Sequence, residues 1–157
     1  MSSTIGIGVP FPKLLPITGT WTLPFTAYLL YLSNRIVYHR IRQQKYLGDR
    51  FANDDAATSN SNPDPLYLDT RAQANFLENV PFAFTLAAIA EVNGGNRKAL
   101  NYALAALFVL RVLHVEVGMR GKDTVGLGRP VGFFGTQGFL AGVAAYCGYL
   151  VKGYWGY

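Results

Sequence analysis

Residues 130 to 151, PVGFFGTQGFLAGVAAYCGYLV, run for 22 residues without a charge. A helix of that length spans the roughly 30 Å hydrocarbon core of a bilayer, so the segment reads as a membrane crossing. Residues 14 to 34, LLPITGTWTLPFTAYLLYLSN, are likewise uncharged and stop at Arg35. Two shorter apolar runs, 79 to 90 and 99 to 110, are flanked by polar residues. Only 15% of the chain is charged, against roughly a quarter in a typical soluble domain. A soluble four-helix bundle would need polar outer faces, and the last apolar run offers only Thr136 and Gln137 as clearly polar positions. The expected fold is therefore all-α, a single-domain integral membrane four-helix bundle over residues 1–157. Its helices are expected at about 20–45, 69–92, 98–119 and 130–152.

The net charge of +5 could point to nucleic acid, but the placement of the basic residues points to membrane topology instead. Arg35, Arg40, Arg42, Lys45, Arg50 and Arg71 lie between the first and second apolar cores. Arg111, Arg120, Lys122 and Arg129 lie between the third and fourth, so ten of the fourteen basic residues fall on one side. By the positive-inside rule those two connections face the cytosol and both termini face away from it. The start lacks the basic region that precedes a signal peptide's apolar core. The lone Cys147 excludes an intrachain disulfide framework.

Residues 1 to 18 are rich in glycine and proline and read as irregular. The stretch GDRFANDDAATSNSNPDPL at 48 to 66 reads as an exposed connector. Pro81 lies inside the second helix, where a kink is expected, and NGGN at 93 to 96 is a tight turn between antiparallel helices. Gly138 and Gly142 form a GxxxG, a spacing that lets helices approach closely in lipid.

Polar groups at membrane depth are costly and usually mark a site or pair with one another. At 100° per residue, Arg71, Asn75 and Glu78 share a stripe about 60° wide on the second helix. Arg111, His114 and Gly118 share a face of the third, with Glu116 pointing elsewhere. Arg129 opens the fourth, with Phe133 and Gln137 one and two turns on. The first helix ends with Asn34, Arg35, Tyr38, His39, Arg40 and Arg42. These groups all belong to the same end of the expected bundle. Arginines beside a carboxylate and an amide suit a zwitterionic ligand with several carboxylates. Equally, Arg71, Glu78 and Arg111 can neutralise one another and only tie the helices together. His39 and His114 lack companions at metal-ligand spacing, so no metal site is expected.

The strings RAQANFLENVP, AEVNGG and LRVLHVEVG resemble the membrane-associated proteins in eicosanoid and glutathione metabolism, the MAPEG family, in its bacterial and fungal branch. The most specific element is Arg-x-x-x-Asn-x-x-Glu-x-x-Pro at 71 to 81, followed by Arg-x-x-His at 111 to 114. The resemblance implies a homotrimer that binds glutathione between subunits near the cytosolic face. By matched motif it implies that Arg71, Asn75 and Glu78 hold the tripeptide's charged and amide groups, helped by Arg111 and His114. Arg40 and Arg42 resemble a basic helix end that touches glutathione, Arg129 resembles the arginine beside the thiol, and Gln137 fits the same alignment. Family members often carry a tyrosine where Gly118 stands and hydroxyl residues where Pro130 and Phe133 stand. Gln73 replaces a common histidine.

The implied function is a membrane-bound glutathione-dependent transferase or isomerase acting on a lipophilic electrophile that enters from the lipid. The alternatives are a protein of the same fold without glutathione chemistry, either a membrane scaffold or a pocket that rearranges a hydrophobic metabolite, and a transporter. An endoplasmic-reticulum-type membrane is expected if the source is eukaryotic.

Overall fold

In a computed structural model the described residues are 4–5, 9–10, 14–44, 65–120 and 128–156. Thr4–Ile5 (β1) pairs antiparallel with Val9–Pro10 (β2), a short hairpin within a region expected to be irregular. Helix α1 spans Pro16–Gln43, α2 spans Pro65–Val92, and α3 spans Arg97–Leu113. A π-helical segment, His114–Met119, continues α3, and α4 spans Gly128–Val151 before a short 3-10 turn at Lys152–Trp155. At 28 residues each, α1 and α2 are about 42 Å long.

The first helix begins earlier than the Thr20 expected from sequence. Pro16 occupies its first turn, where the missing N–H costs nothing. Leu15 stands at the N-cap and supplies no side-chain bond. Glu91, in the last turn of α2, does so instead: one carboxylate oxygen accepts from Ile17 N–H at 2.8 Å. The other accepts from Thr18 N–H at 2.8 Å and from the Thr18 hydroxyl at 2.7 Å. Pro24 lies inside α1 and Pro81 inside α2.

The turn at 93 to 96 closes α2 with paired bonds, Gly94 N–H to Glu91 C=O at 3.2 Å and Gly95 N–H to Ala90 C=O at 2.8 Å. Gly94 adopts φ +80°, a conformation that favours glycine. Asn96 then caps α3, its side-chain oxygen accepting from Lys98 N–H at 3.0 Å and Ala99 N–H at 3.2 Å.

Around the bundle, α1 packs on α2 and α3, and α4 packs on α2, α3 and the π segment. Among the described residues α1 and α4 share no close backbone approach, so they are diagonal partners. Phe25 centres the core, edge-on to Phe84 at 4.9 Å and to Phe108 at 5.2 Å. Such ring pairs contribute about 0.5–1.5 kcal/mol each beyond area burial. A second cluster joins Ala90, Leu100, Val143 and Cys147 near the α2–α3 turn.

Large apolar side chains are also exposed on every helix: Leu23 and Leu30 on α1, Phe82 on α2, Tyr102 and Val109 on α3, and Phe134 on α4. Meanwhile Asp69, Glu91, Arg111, His114 and Thr136 are buried. Polar groups inside and apolar groups outside invert the pattern of a soluble bundle. Among the described residues the helix long and apolar enough to cross a membrane is Arg97–Met119, not the two cleaner runs singled out by sequence. The glycine, threonine, proline and tyrosine of those runs dilute their hydropathy, although they carry no charge.

Candidate functional site

At the end of the bundle where α2 begins and the π segment ends, a cavity of about 330 Å³ opens between α2, the π segment and α4. Its described lining is Arg71, Asn75, His114, Met119, Arg129, Pro130 and Phe133. Its volume falls within the range of small-ligand sites, about 300–1,000 Å³.

Glycine lets the two walls meet. A Cβ on Gly118 would lie 2.5 Å from the Arg129 nitrogen, and one on Gly128 would lie 2.7 Å from the Gly118 nitrogen. Backbone therefore rests on backbone, and the start of α4 is drawn against the π segment, which places Arg129 at the cavity. One turn on, a Cβ on Gly132 would lie 2.4 Å from His114 Cβ and 2.9 Å from its Nδ1. The imidazole is thus pressed against bare α4 backbone, and its Nδ1 lies 3.1 Å from the Arg129 carbonyl oxygen.

Arg111, only 2% exposed, is the strut behind this wall. Its Nη1 donates to Asn75 Oδ1 at 2.7 Å and its Nη2 donates to the Gly132 carbonyl at 2.5 Å. Thr136 donates to the same carbonyl at 2.8 Å. One guanidinium thereby joins α2, α3 and α4 through neutral acceptors. Its Nε is buried with no partner among the described residues.

A separate ionic interlock ties α1 to α2 and the π segment. Arg35 binds Asp69 through Nε and Nη2, and its Nη1 donates to Glu116 at 2.9 Å. His39 Nε2 lies 3.4 Å from Asp69 and Arg120 Nη1 lies 3.4 Å from Glu116. The Tyr28 hydroxyl reaches Glu116 at 3.3 Å, and Gln73 donates to the Ser33 hydroxyl at 2.7 Å. Removing one partner of a buried pair such as Arg35–Asp69 costs about 3–5 kcal/mol, because the other charge is stranded.

Of the residues expected at a site, Arg71, Asn75, His114 and Arg129 line the cavity, and Arg111 stands immediately behind Asn75. Glu78 and Gln137 are exposed and do not line it. Arg42 is exposed with Nη1 donating to the Tyr38 hydroxyl at 3.1 Å, and Arg40 is half-buried on the same helix end. Mutual neutralisation of Arg71, Glu78 and Arg111 is not what holds the helices, since Arg111 bonds an amide and a backbone carbonyl. The GxxxG glycines Gly138 and Gly142 have open space where a Cβ would stand, so among the described residues no packing within the protomer uses them. Glu91 and the interlock carboxylate Asp69 were not singled out by sequence reasoning. Asp69 was nevertheless legible, because it continues the buried stripe of Ala72, Phe76, Val80, Ala83 and Ala87 at spacings of three or four.

Comparison with curated proteins and with solved structures yields no match. The profile of the MAPEG family, by contrast, matches residues 18–149, nearly the whole bundle and all of the residues that line the cavity. The chain therefore belongs to the MAPEG family.

Proposed function

We propose that this chain is the membrane-embedded protomer of a homotrimer that binds glutathione in the Arg71–Arg129 cavity and directs its thiol at a lipophilic electrophile. The observation that carries this reading is the pairing of two guanidinium groups with Asn75 and His114 around one small-ligand cavity. Glutathione carries two carboxylates and one ammonium, and guanidinium groups bind carboxylates through paired hydrogen bonds. When bound, it supplies a thiol nucleophile. Arg71 and Asn75 hold its fixed polar groups, Arg129 places positive charge beside the sulfur, and Pro130, Met119 and Phe133 offer the electrophile an apolar wall.

The described lining of one protomer contains no carboxylate for the ammonium. Glu78 lies on the same α2 stripe as Arg71 and Asn75 yet faces outward. Its position supports a site completed by a neighbouring subunit, with Glu78 of one protomer serving the cavity of the next. The apolar outer faces of all four helices support burial in lipid and against other protomers. The basic connections then face the cytosol, where glutathione is supplied.

A second reading, a family fold without glutathione chemistry, is favoured by Pro130 and Phe133, which give that part of the lining no hydroxyl. Thermal unfolding of the detergent-purified protein separates the two. Glutathione at a hundred times its Kd stabilises the folded state by about 2.7 kcal/mol. At about 2–4 °C per kcal/mol for a chain of this size, the midpoint should rise by roughly 5–10 °C. No rise at any glutathione concentration would favour the second reading.

A further inference from the structure

The cavity poses a proton problem. A thiol attacks only after losing its proton, and the described lining residues include no serine, threonine, tyrosine or carboxylate. A guanidinium offers donors and no acceptor, and Asn75 and Met119 take up no proton near neutral pH. His114 is the one described lining residue that can accept one.

Its ring is already set for that task. Nδ1 lies 3.1 Å from the Arg129 carbonyl oxygen, which can only accept. Nδ1 must therefore carry the hydrogen, and in the neutral ring the lone pair sits on Nε2. The ring cannot swing away easily, because it is pressed against Gly132, whose carbonyl is in turn held by Arg111 and Thr136. This is a general base with its orienting partner, the partner being a backbone carbonyl instead of a carboxylate.

We propose that His114 Nε2 takes the thiol proton in this cavity, a role beyond holding the ligand and one that rests on the glutathione reading of the same site. The S–H bond breaks, the proton passes to Nε2, and the electron pair stays on sulfur beside Arg129. The positive charge gained by the ring is matched by the negative charge left on sulfur. With a chlorodinitrobenzene as electrophile, the S–C bond forms, the C–Cl bond breaks, and chloride leaves with its electron pair. The proton on His114 is then released to water. The charged groups around the ring are Arg111 on α3, Arg71 on α2 and Arg129 on α4.

His114→Asn tests this, because its side-chain N–H can replace the Nδ1 donor to Arg129 while Nε2 is removed. Calorimetry with glutathione and with S-methylglutathione reads binding, and ultraviolet thiolate absorbance of the bound ligand reads the proton. Binding of S-methylglutathione should stay within about threefold of wild type. Thiolate absorbance at neutral pH should vanish and return only under alkaline conditions. Conjugation should slow by about 10²–10⁴-fold, the usual contribution of a positioned base, and added imidazole should restore part of it. His114→Gln, a second variant without a base, should behave alike if the asparagine variant folds poorly.

Retention of both thiolate absorbance and rate within about threefold in either folded variant would overturn the proposal and leave His114 an anchor for α4. Loss of S-methylglutathione binding in both folded variants would overturn it in the same way. Absence of glutathione binding to the wild-type protein would instead defeat the glutathione reading, and this inference with it.

Discussion

Glu91 offers the cleanest test of how the bundle is held. Its carboxylate caps α1 from the far end of α2, accepting three hydrogen bonds of 2.7 to 2.8 Å from Ile17 and Thr18. It is 6% exposed, so water does not readily replace it. Hydrogen bonds to a charged group contribute about 1.5–3 kcal/mol each, but three that share one carboxylate do not add. Loss of an ordinary N-cap costs about 0.5–2 kcal/mol. Against this, a negative charge in the last turn of α2 opposes that helix's dipole, and removing it returns less than about 1 kcal/mol. Glu91→Ala should therefore destabilise the protein by about 3 kcal/mol, or roughly 6–12 °C at the midpoint for a chain of this size. Thr18→Val removes only the hydroxyl bond and should cost about 1 kcal/mol, much less of it in the Glu91→Ala background. Asn75 lies sixteen residues away along α2, about 24 Å, so glutathione affinity of the folded variant should be unchanged. Thermal unfolding in detergent and calorimetry read the two quantities. A midpoint within about 2 °C of wild type would refute the capping argument, since a stability difference of that size is below about 1 kcal/mol.

Arg71→Ala should weaken glutathione binding by about 1.5–3 kcal/mol in calorimetry, because it removes a charge-assisted contact made before and during reaction. Arg129→Ala should leave affinity less affected and slow single-turnover conjugation by about 10²–10³-fold, as expected for a cation facing charge on sulfur. Native mass measurement in mild detergent should give a trimer. Gly138→Leu, which enters open space within the protomer, should disrupt that trimer only if the α4 GxxxG meets a neighbour. A cysteine at Ser59, introduced after Cys147→Ser, should be labelled only from the cytosolic side of sealed vesicles. Labelling from the other side would reverse the topology.

Much of the fold could be read from charge-free length, because a polar backbone in lipid has few alternatives to a helix. The family, too, was carried by a spaced polar string, Arg71 to Pro81, that no packing requirement would generate. What escaped the sequence reading depended on tertiary partners. Asp69 stood next to a polar connector, at the expected start of the second helix, and its helical phase is that of the core. Glu91 sat at a helix end, where a carboxylate is locally unfavourable, so its use by a different helix carried no local signature. The glycines divide in a related way. Spacing drew attention to Gly138 and Gly142, whereas the contacts that shape the cavity belong to Gly118, Gly128 and Gly132. Spacing records which residues share a face but not which face meets another backbone.

The wide turn at His114–Met119 makes the cavity wall a matter of angular phase. A π segment bonds i to i+5 and so accommodates one residue more than an α-helical turn would. Within it, His114 and Gly118 meet α4 while Glu116 reaches Arg35 on α1. Rewinding the segment as α-helix with every residue retained would rotate everything downstream by about 100° about the helix axis. Gly118 would leave Gly128, a side chain with a Cβ would arrive in its place, and the α4 start would be pushed outward with Arg129. Substitutions on its outer side leave this phase alone, so the segment should tolerate changes of residue type there far better than any change that rewinds the turn.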